Sequence, residues 1–203
     1  MVRRPAAGGL RGLTRRRALS ALPGPRPARP PTCQARRVDH LRGSAARFVL
    51  RRLGEEDWRL WRRLRRSALA ESPAAFGSTL AQWSGDGDRE ERWRARLRDV
   101  ALHLVVERDG EPVGVVAATA PGDEVVVELL SLWVTPAARG SGAGDAAVRG
   151  VLAWAAAEHP GVDVVLSVAA GNDAASRLYA RHGFVYDGPS PDAGCERRLR
   201  HRS

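Results

Sequence analysis

Apolar residues follow two rhythms along this chain, and each change of rhythm marks an element. Residues 48–53 form a short run with strand character, followed by Gly54-Glu55-Glu56-Asp57, whose acids suit the positive end of a helix. Trp58, Trp61, Leu64 and Ala68 then recur at helical spacing, so one face of a first helix packs inward. A loop around Ser72-Pro73-Ala74-Ala75-Phe76-Gly77 leads to a second, highly charged helix over about 88–98. Residues 102–107 and 113–119 read as strands joined by an Asp109-Gly110 turn. Pro121-Gly122-Asp123 turns into a long apolar strand over 125–135, and a helix over about 141–157 stops before His159-Pro160-Gly161. Residues 162–168 predict a buried strand, 173–182 a helix, and 184–186 with 196–199 the last two strands. Strands first, then strand–helix–strand–helix–strand, predicts a mixed α/β sheet covered by the last helices, without a second domain or an internal repeat.

Charge changes this picture only at the start of the chain. The formal net charge is +10, yet residues 1–47 hold 12 of the 33 basic residues and one acid, Asp39, leaving 21 against 22 in the remainder. The body is close to neutral, so nucleic acid is not an expected partner. Residues 1–46 are rich in Arg and Pro, with no apolar period, and predict a disordered tail ahead of a domain over 47–203. Thr14-Arg15-Arg16-Arg17-Ala18-Leu19 resembles the start of a twin-arginine signal, but five prolines from Pro23 to Pro31 interrupt the apolar stretch that should follow. The same prolines argue against an organelle transit helix, and an alternative is that translation starts near Val38. No apolar run approaches the roughly 18 residues of a membrane helix. Cys33 and Cys195 stand far apart, and neither they nor the five histidines show metal spacing. No metal and a reducing, cytoplasmic setting are expected.

The stretch Arg139-Gly140-Ser141-Gly142-Ala143-Gly144 joins the long strand to the third helix. Glycines at every second position before a helix let backbone approach a bulky anion, whose charge faces the unpaired N–H groups of the helix start. Arg139 adds a formal charge for phosphate oxygens. The bland alternative is a flexible turn. Neither nucleotide pattern fits: the spacing is not G-x-G-x-x-G, and the chain contains no lysine for a P-loop.

Downstream lies Asn172-Asp173-Ala174-Ala175-Ser176-Arg177-Leu178-Tyr179-Ala180-Arg181-His182-Gly183-Phe184. R-x-x-G-x-G followed by N-x-x-A-x-x-L-Y-x-x-x-G-F resembles the GNAT superfamily of N-acetyltransferases, over roughly residues 48–200. The Ser72-Pro73-x-x-Phe76-Gly77 loop is similar to one in a bacterial branch of it. The resemblance implies a mostly antiparallel sheet of about seven strands with helices on both faces, splayed between its fourth and fifth strands. It also implies acetyl-CoA as co-substrate, with pantetheine beside Leu132, Trp133 and Val134. The pyrophosphate would lie on the amides of Arg139, Gly140, Ser141, Gly142, Ala143 and Gly144, and Asn172, Ala175 and Tyr179 would touch the cofactor. The Val134 N–H becomes the donor to the tetrahedral intermediate, Tyr179 the acid for the leaving thiolate, and Glu128 a base acting through water.

Each role has an ordinary alternative: Tyr179 a half-buried helix tyrosine, Glu128 a solvated strand end with a water chain in its place, Asn172 a plain N-cap. Asp145, in the first turn of the third helix, would weaken anion binding if it faced the diphosphate. Trp83 and Trp93 fit either core or an acceptor pocket, and Arg62-Arg63-Arg65-Arg66 reads as a solvated helix face, with attraction of an acidic substrate as the alternative. The expected reaction is acetylation of a small-molecule amine by direct attack in a ternary complex. Acetylation of a protein N-terminus or lysine, or a CoA-binding regulatory module without turnover, are the alternatives. A homodimer is compatible with the sequence.

Overall fold

The structure, a computed structural model, describes residues 48–190 and 196–203. The expected tail over 1–46, Cys33 and Cys195 lie outside the described residues. Among the described residues seven strands and four α-helices follow in the order β1 (Phe48–Arg52), α1 (Trp58–Glu71), α2 (Glu90–Asp99), β2 (Leu102–Arg108), β3 (Glu111–Ala118), β4 (Val127–Val134), α3 (Ala143–Glu158), β5 (Val164–Ala169), α4 (Asp173–Arg181), β6 (Val185–Pro189) and β7 (Glu196–His201). One sheet orders them β1-β2-β3-β4-β5-β7-β6, and every neighbouring pair is antiparallel except β4–β5.

Strand alternation divides the apolar residues into two cores. Leu104, Val106, Val116 and Ala118 join Val148, Val151 and Ala155 of α3 on one face. Val105, Val115 and Ala117 join Trp61, Leu64 and Ala68 of α1 and Trp93 of α2 on the other. Two glycines belong to this packing. A Cβ on Gly150 would lie 2.5 Å from Leu50 Cδ1, and one on Gly114 would lie 2.8 Å from the Trp133 carbonyl oxygen.

β4 starts two residues later than its apolar run suggests. Val125 is 64% exposed at φ +52°, its N–H bonded to Gly122 C=O in the preceding turn. Within β4, Ser131 and Leu132 oppose the single residue Val116, because Val115 pairs with Trp133 while Ala117 pairs with Leu130. Ser131 absorbs this bulge at φ +56°. β4 and β5 register only at Val127–Val164 and Glu128–Val165, at the start of both strands.

Candidate active site

The bulge decides what the far half of β4 presents. Val127 and Leu129 pack toward α3, and Leu132 and Val134 do so too, whereas Leu130 and Trp133 pack toward α1. It also turns the backbone. Thr119 N–H donates to Glu128 C=O (3.0 Å), and Thr135 N–H donates to Val113 C=O (2.9 Å). These bonds flank the Ala118–Leu129 and Gly114–Val134 pairs, making both of them non-hydrogen-bonded pairs. The N–H and C=O groups of Leu129 and Val134 therefore point away from β3, toward β5. They stand five positions apart, an odd offset, so only the extra residue of the bulge lets both face the same side. Since no β4–β5 register extends past Glu128, the Val134 amide opens into the gap between diverging strands.

A 3-10 turn, Pro136–Ala138, carries the chain from β4 to α3. Gly140 at φ +74° and Gly142 at φ +95° occupy the left-handed region, where a side chain is strained. Gly144 matters for close approach instead, since a Cβ there would lie 3.1 Å from Leu178 Cδ2 of α4. The first α-helical bond of α3 runs from Ala146 N–H to Gly142 C=O. Ala143, Gly144 and Asp145 thus have amides without intrahelical acceptors at the positive end of a 16-residue helix, a fit for a diphosphate. Asp145 does not oppose this charge, because its carboxylate is drawn to Arg181 (3.1 Å) and His182 (3.0 Å). Ser141 Oγ donates to Ala138 C=O, which closes the turn.

Arg139 is less free than its sequence suggests. Nη2 donates to Glu71 Oε2 at 2.5 Å and Nε to Val134 C=O at 3.2 Å. Glu71 Oε2 also accepts from Trp133 Nε1 (3.0 Å) and from Ser72 Oγ (2.6 Å). These donors, Arg139 first, hold the Glu71 carboxyl down at about 2. One carboxylate at the end of α1 therefore braces β4 beside Val134. The spacing gave no hint of Glu71, because a lone acid before Ser72-Pro73 reads as an ordinary helix end.

The second motif folds as one compact turn. Asn172 caps α4, its Oδ1 accepting from Ala175 N–H at 3.2 Å. Gly183 at φ +80° closes the helix, so Phe184 N–H reaches Tyr179 C=O (3.1 Å) and its ring meets Tyr179 at 5.7 Å. Tyr179 is 6% exposed, in the same core cluster as Ala138 and Ala143, with Leu132, Val134 and Ala175 packed against it. Burial raises its phenol above the ordinary value, so it remains protonated.

Glu128 lies on the other face, by strand alternation with Leu130. Its N–H donates to Thr119 Oγ1 (3.1 Å), and its charge acts on Arg96 and Arg198. It lines a cleft of about 460 Å³ at the mouth of the β4–β5 gap, with Thr119, Val165, Ser167 and Arg198. The acid and base candidates thus flank one gap from opposite faces of the sheet. A larger hollow, about 650 Å³, lies between Trp58, Arg59, Arg62, Arg63 and Arg66 and shares no residue with that gap.

The remaining expectations divide. Trp93 is fully buried core and donates to Asp88 Oδ1 (2.8 Å), while Trp83 stacks on it at 4.3 Å under Arg92. The Arg62–Arg66 run is not one solvated face: Arg62 and Arg66 share Asp88, and Arg65 is buried. Among the described residues no group of three His, Cys, Asp or Glu could hold a metal, and no helix is long and apolar enough to cross a membrane.

The model of the acetyltransferase (GNAT) family matches residues 59–184. The chain belongs to the GNAT family. It is accordingly an N-acetyltransferase, of a family that draws its acetyl group from acetyl-CoA. Similar solved structures include the PaiA N-acetyltransferase of Thermoplasma acidophilum in complex with coenzyme A, at 16% identity and TM-score 0.63, covering 77% of this chain and 99% of that one. A spermidine N-acetyltransferase, a SpeG chimera from Vibrio cholerae and hSSAT, shares 21% identity at TM-score 0.60, over 76% of this chain and 95% of that one. A ribosomal-protein-alanine N-acetyltransferase of Brucella melitensis shares 22% at TM-score 0.60, over 76% and 99%. These likenesses establish a common fold. No curated protein gave a significant match.

Proposed function

We propose that this N-acetyltransferase acetylates the primary amine of a small molecule, by direct attack within a ternary complex, in a cytoplasmic setting. Residues 47–203 form its catalytic domain, apart from a tail over 1–46. The observation that carries the reading is the Val134 amide, aimed into the β4–β5 gap with Tyr179 packed on one face and Glu128 on the other.

Acetyl-CoA supplies an activated thioester. The first-turn amides of α3, with Gly140 and Gly142, bind its diphosphate, and the β4 edge at Leu132 and Val134 pairs with pantetheine. Arg139 reaches the phosphates by exchanging Glu71 for them. Glu128 accepts the amine's proton through water, leaving the nitrogen lone pair free to form the C–N bond. Val134 N–H donates to the carbonyl oxygen as it gains charge. As the C–S bond breaks, the Tyr179 hydroxyl gives its proton to the departing sulfur. The dry surroundings that disfavour tyrosinate disfavour a bare thiolate as well.

A small acceptor is favoured because α1, α2 and the 72–87 connection cover the Leu130 and Trp133 side of β4. Asp88 ties them together through Arg62, Arg66 (3.0 Å) and Trp93 (2.8 Å). A roofed site suits a compact amine, whereas a docked peptide needs an open groove or sheet edge. The test is a panel of primary amines with acetyl-CoA, reading released thiol and acetylated product. Turnover on small amines is expected. Turnover confined to protein N-termini or lysines would transfer the reading to protein acetylation, and cofactor binding without any turnover would overturn the enzyme assignment.

A further inference from the structure

Resting on the acetyl-transfer reading, we propose that the acceptor amine also carries a carboxylate, received by the guanidinium groups of Arg65 and Arg96 on the Glu128 face of the sheet.

Arg65 sits on the inward stripe of α1, four residues after Trp61, and is only 7% exposed. Its Nη2 donates to the neutral Ser78 Oγ at 2.8 Å, and its guanidinium carbon lies 4.4 Å from the centre of the Phe76 ring. Nη1 is shut from solvent and has no hydrogen-bond partner among the described residues. No carboxylate among them lies within ion-pair distance of Arg65, whereas its neighbours Arg62 and Arg66 both reach Asp88. A buried guanidinium without an anion is a costly arrangement that folded proteins rarely keep without cause.

The second cation compounds this. Arg96 comes from α2, is half-buried, and forms no ion pair within 4.0 Å among the described residues. Burial, with the charge of Arg96 added, pushes the Arg65 guanidinium down to about 10. Burial lowers Arg96 as well, and Glu128 pulls the other way. His103, which also feels Arg96, is pushed by burial down to about 3 and stays neutral. Trp61, Leu64, Trp93 and Leu130 belong to the apolar core on this side of the sheet. Glu128 thus offsets Arg96, while the buried charge of Arg65 has no carboxylate counterpart among the described residues. An acceptor whose amine approaches Glu128 while its carboxylate meets Arg65 and Arg96 completes the balance. The groups that cover Arg65, Phe76 and Ser78, belong to the 72–87 connection of short 3-10 turns, so a loop and not a core element stands over it. The same balance disfavours polycationic amines.

The test compares free amino acids and dipeptides with their C-terminal amides, which keep the amine and remove only the charge. In the wild-type protein kcat/KM is expected to favour the carboxylates on the order of 10²-fold. In Arg65→Met and in Arg96→Met that ratio falls toward one. The melting temperature of cofactor-free Arg96→Met should hold or rise, since an uncompensated charge is removed; a structural arginine predicts a fall. Equal turnover of acids and amides, or a preference unchanged in both variants, would overturn the carboxylate site and leave acetyl transfer standing. If neither series is turned over, the acids must still raise the melting temperature of the CoA-loaded protein, and less so in Arg65→Met. In that event acetyl transfer falls while the site survives, and absence of this shift overturns both.

Discussion

The two faces of the β4–β5 gap are built from different materials. On the α3 side the proposed site is backbone: the amides of Ala143 and Gly144, left-handed glycines at 140 and 142, and the outward edge of β4 at Val134. On the α1 side it is side chains: Glu128, Arg96, Arg65 and the 72–87 connection above them. A backbone site binds what never changes, a cofactor, and depends on conformation more than on residue identity. A side-chain site is free to vary, which is where a family alters its acceptor.

Substitutions can break or sharpen this contrast. The largest effect is expected at Tyr179, the one side chain on the backbone face to which a chemical role is proposed. Tyr179→Phe keeps the ring packed on Phe184 and removes the proton source, so kcat should fall about 10²–10⁴-fold with acetyl-CoA affinity nearly unchanged. Steady-state kinetics beside calorimetric binding decides; a variant retaining most of its turnover while chemistry limits the rate ends the acid role. Next comes Gly142→Leu, which should abolish thermal stabilisation by acetyl-CoA. In the wild-type protein that stabilisation is about 2.7 kcal/mol at a hundredfold excess over Kd, and its persistence in the variant would show that the loop does not hold the cofactor.

A smaller effect tests the brace between the faces. The Glu71 carboxyl is depressed to about 2, so its contribution to stability is complete above its unfolded value near 4.5 and is lost as pH falls toward about 2. The melting-temperature gap between the wild type and Glu71→Gln should therefore be constant above about pH 5 and close below it. A gap independent of pH would mean that the ionised carboxylate is not what braces β4. Asn172→Ala carries the smallest expectation, a stability loss of about 1 kcal/mol from the missing α4 cap, measurable by denaturant unfolding.

What the sequence makes legible follows the same division. Gly140, Gly142 and Gly183 each stand where φ is positive, and such positions leave a residue-specific trace in a single chain. Asn172 caps where expected, and Tyr179 is placed by the helix that Asn172 and Gly183 delimit. The four helices and seven strands follow from apolar rhythm to within a few residues. Val125 is the informative miss, an exposed turn residue that its apolar neighbours disguise as strand. Arg65 was hidden by composition. Amid Arg62, Arg63 and Arg66 it looks like one more surface charge, although its four-residue offset from Trp61 already puts it on the inward stripe. Glu71 and Arg139 meet across 68 positions, and no local pattern records such a pairing.

The bulge at Ser131 acts on β4 as a frameshift acts on a message. Residues before it and residues after it are read in opposite parity, and both cores together with the gap-facing amide depend on the second reading. Exchanging one apolar residue for another anywhere in β4 changes a single letter. Were Ser131 an ordinary strand residue with no bulge, Trp133 would face α3, Val134 would turn toward α1, and the Val134 amide would point back at β3. Deleting Ser131 itself would leave both faces in place, whereas a one-residue insertion or deletion elsewhere in β4 exchanges the faces of every residue beyond it.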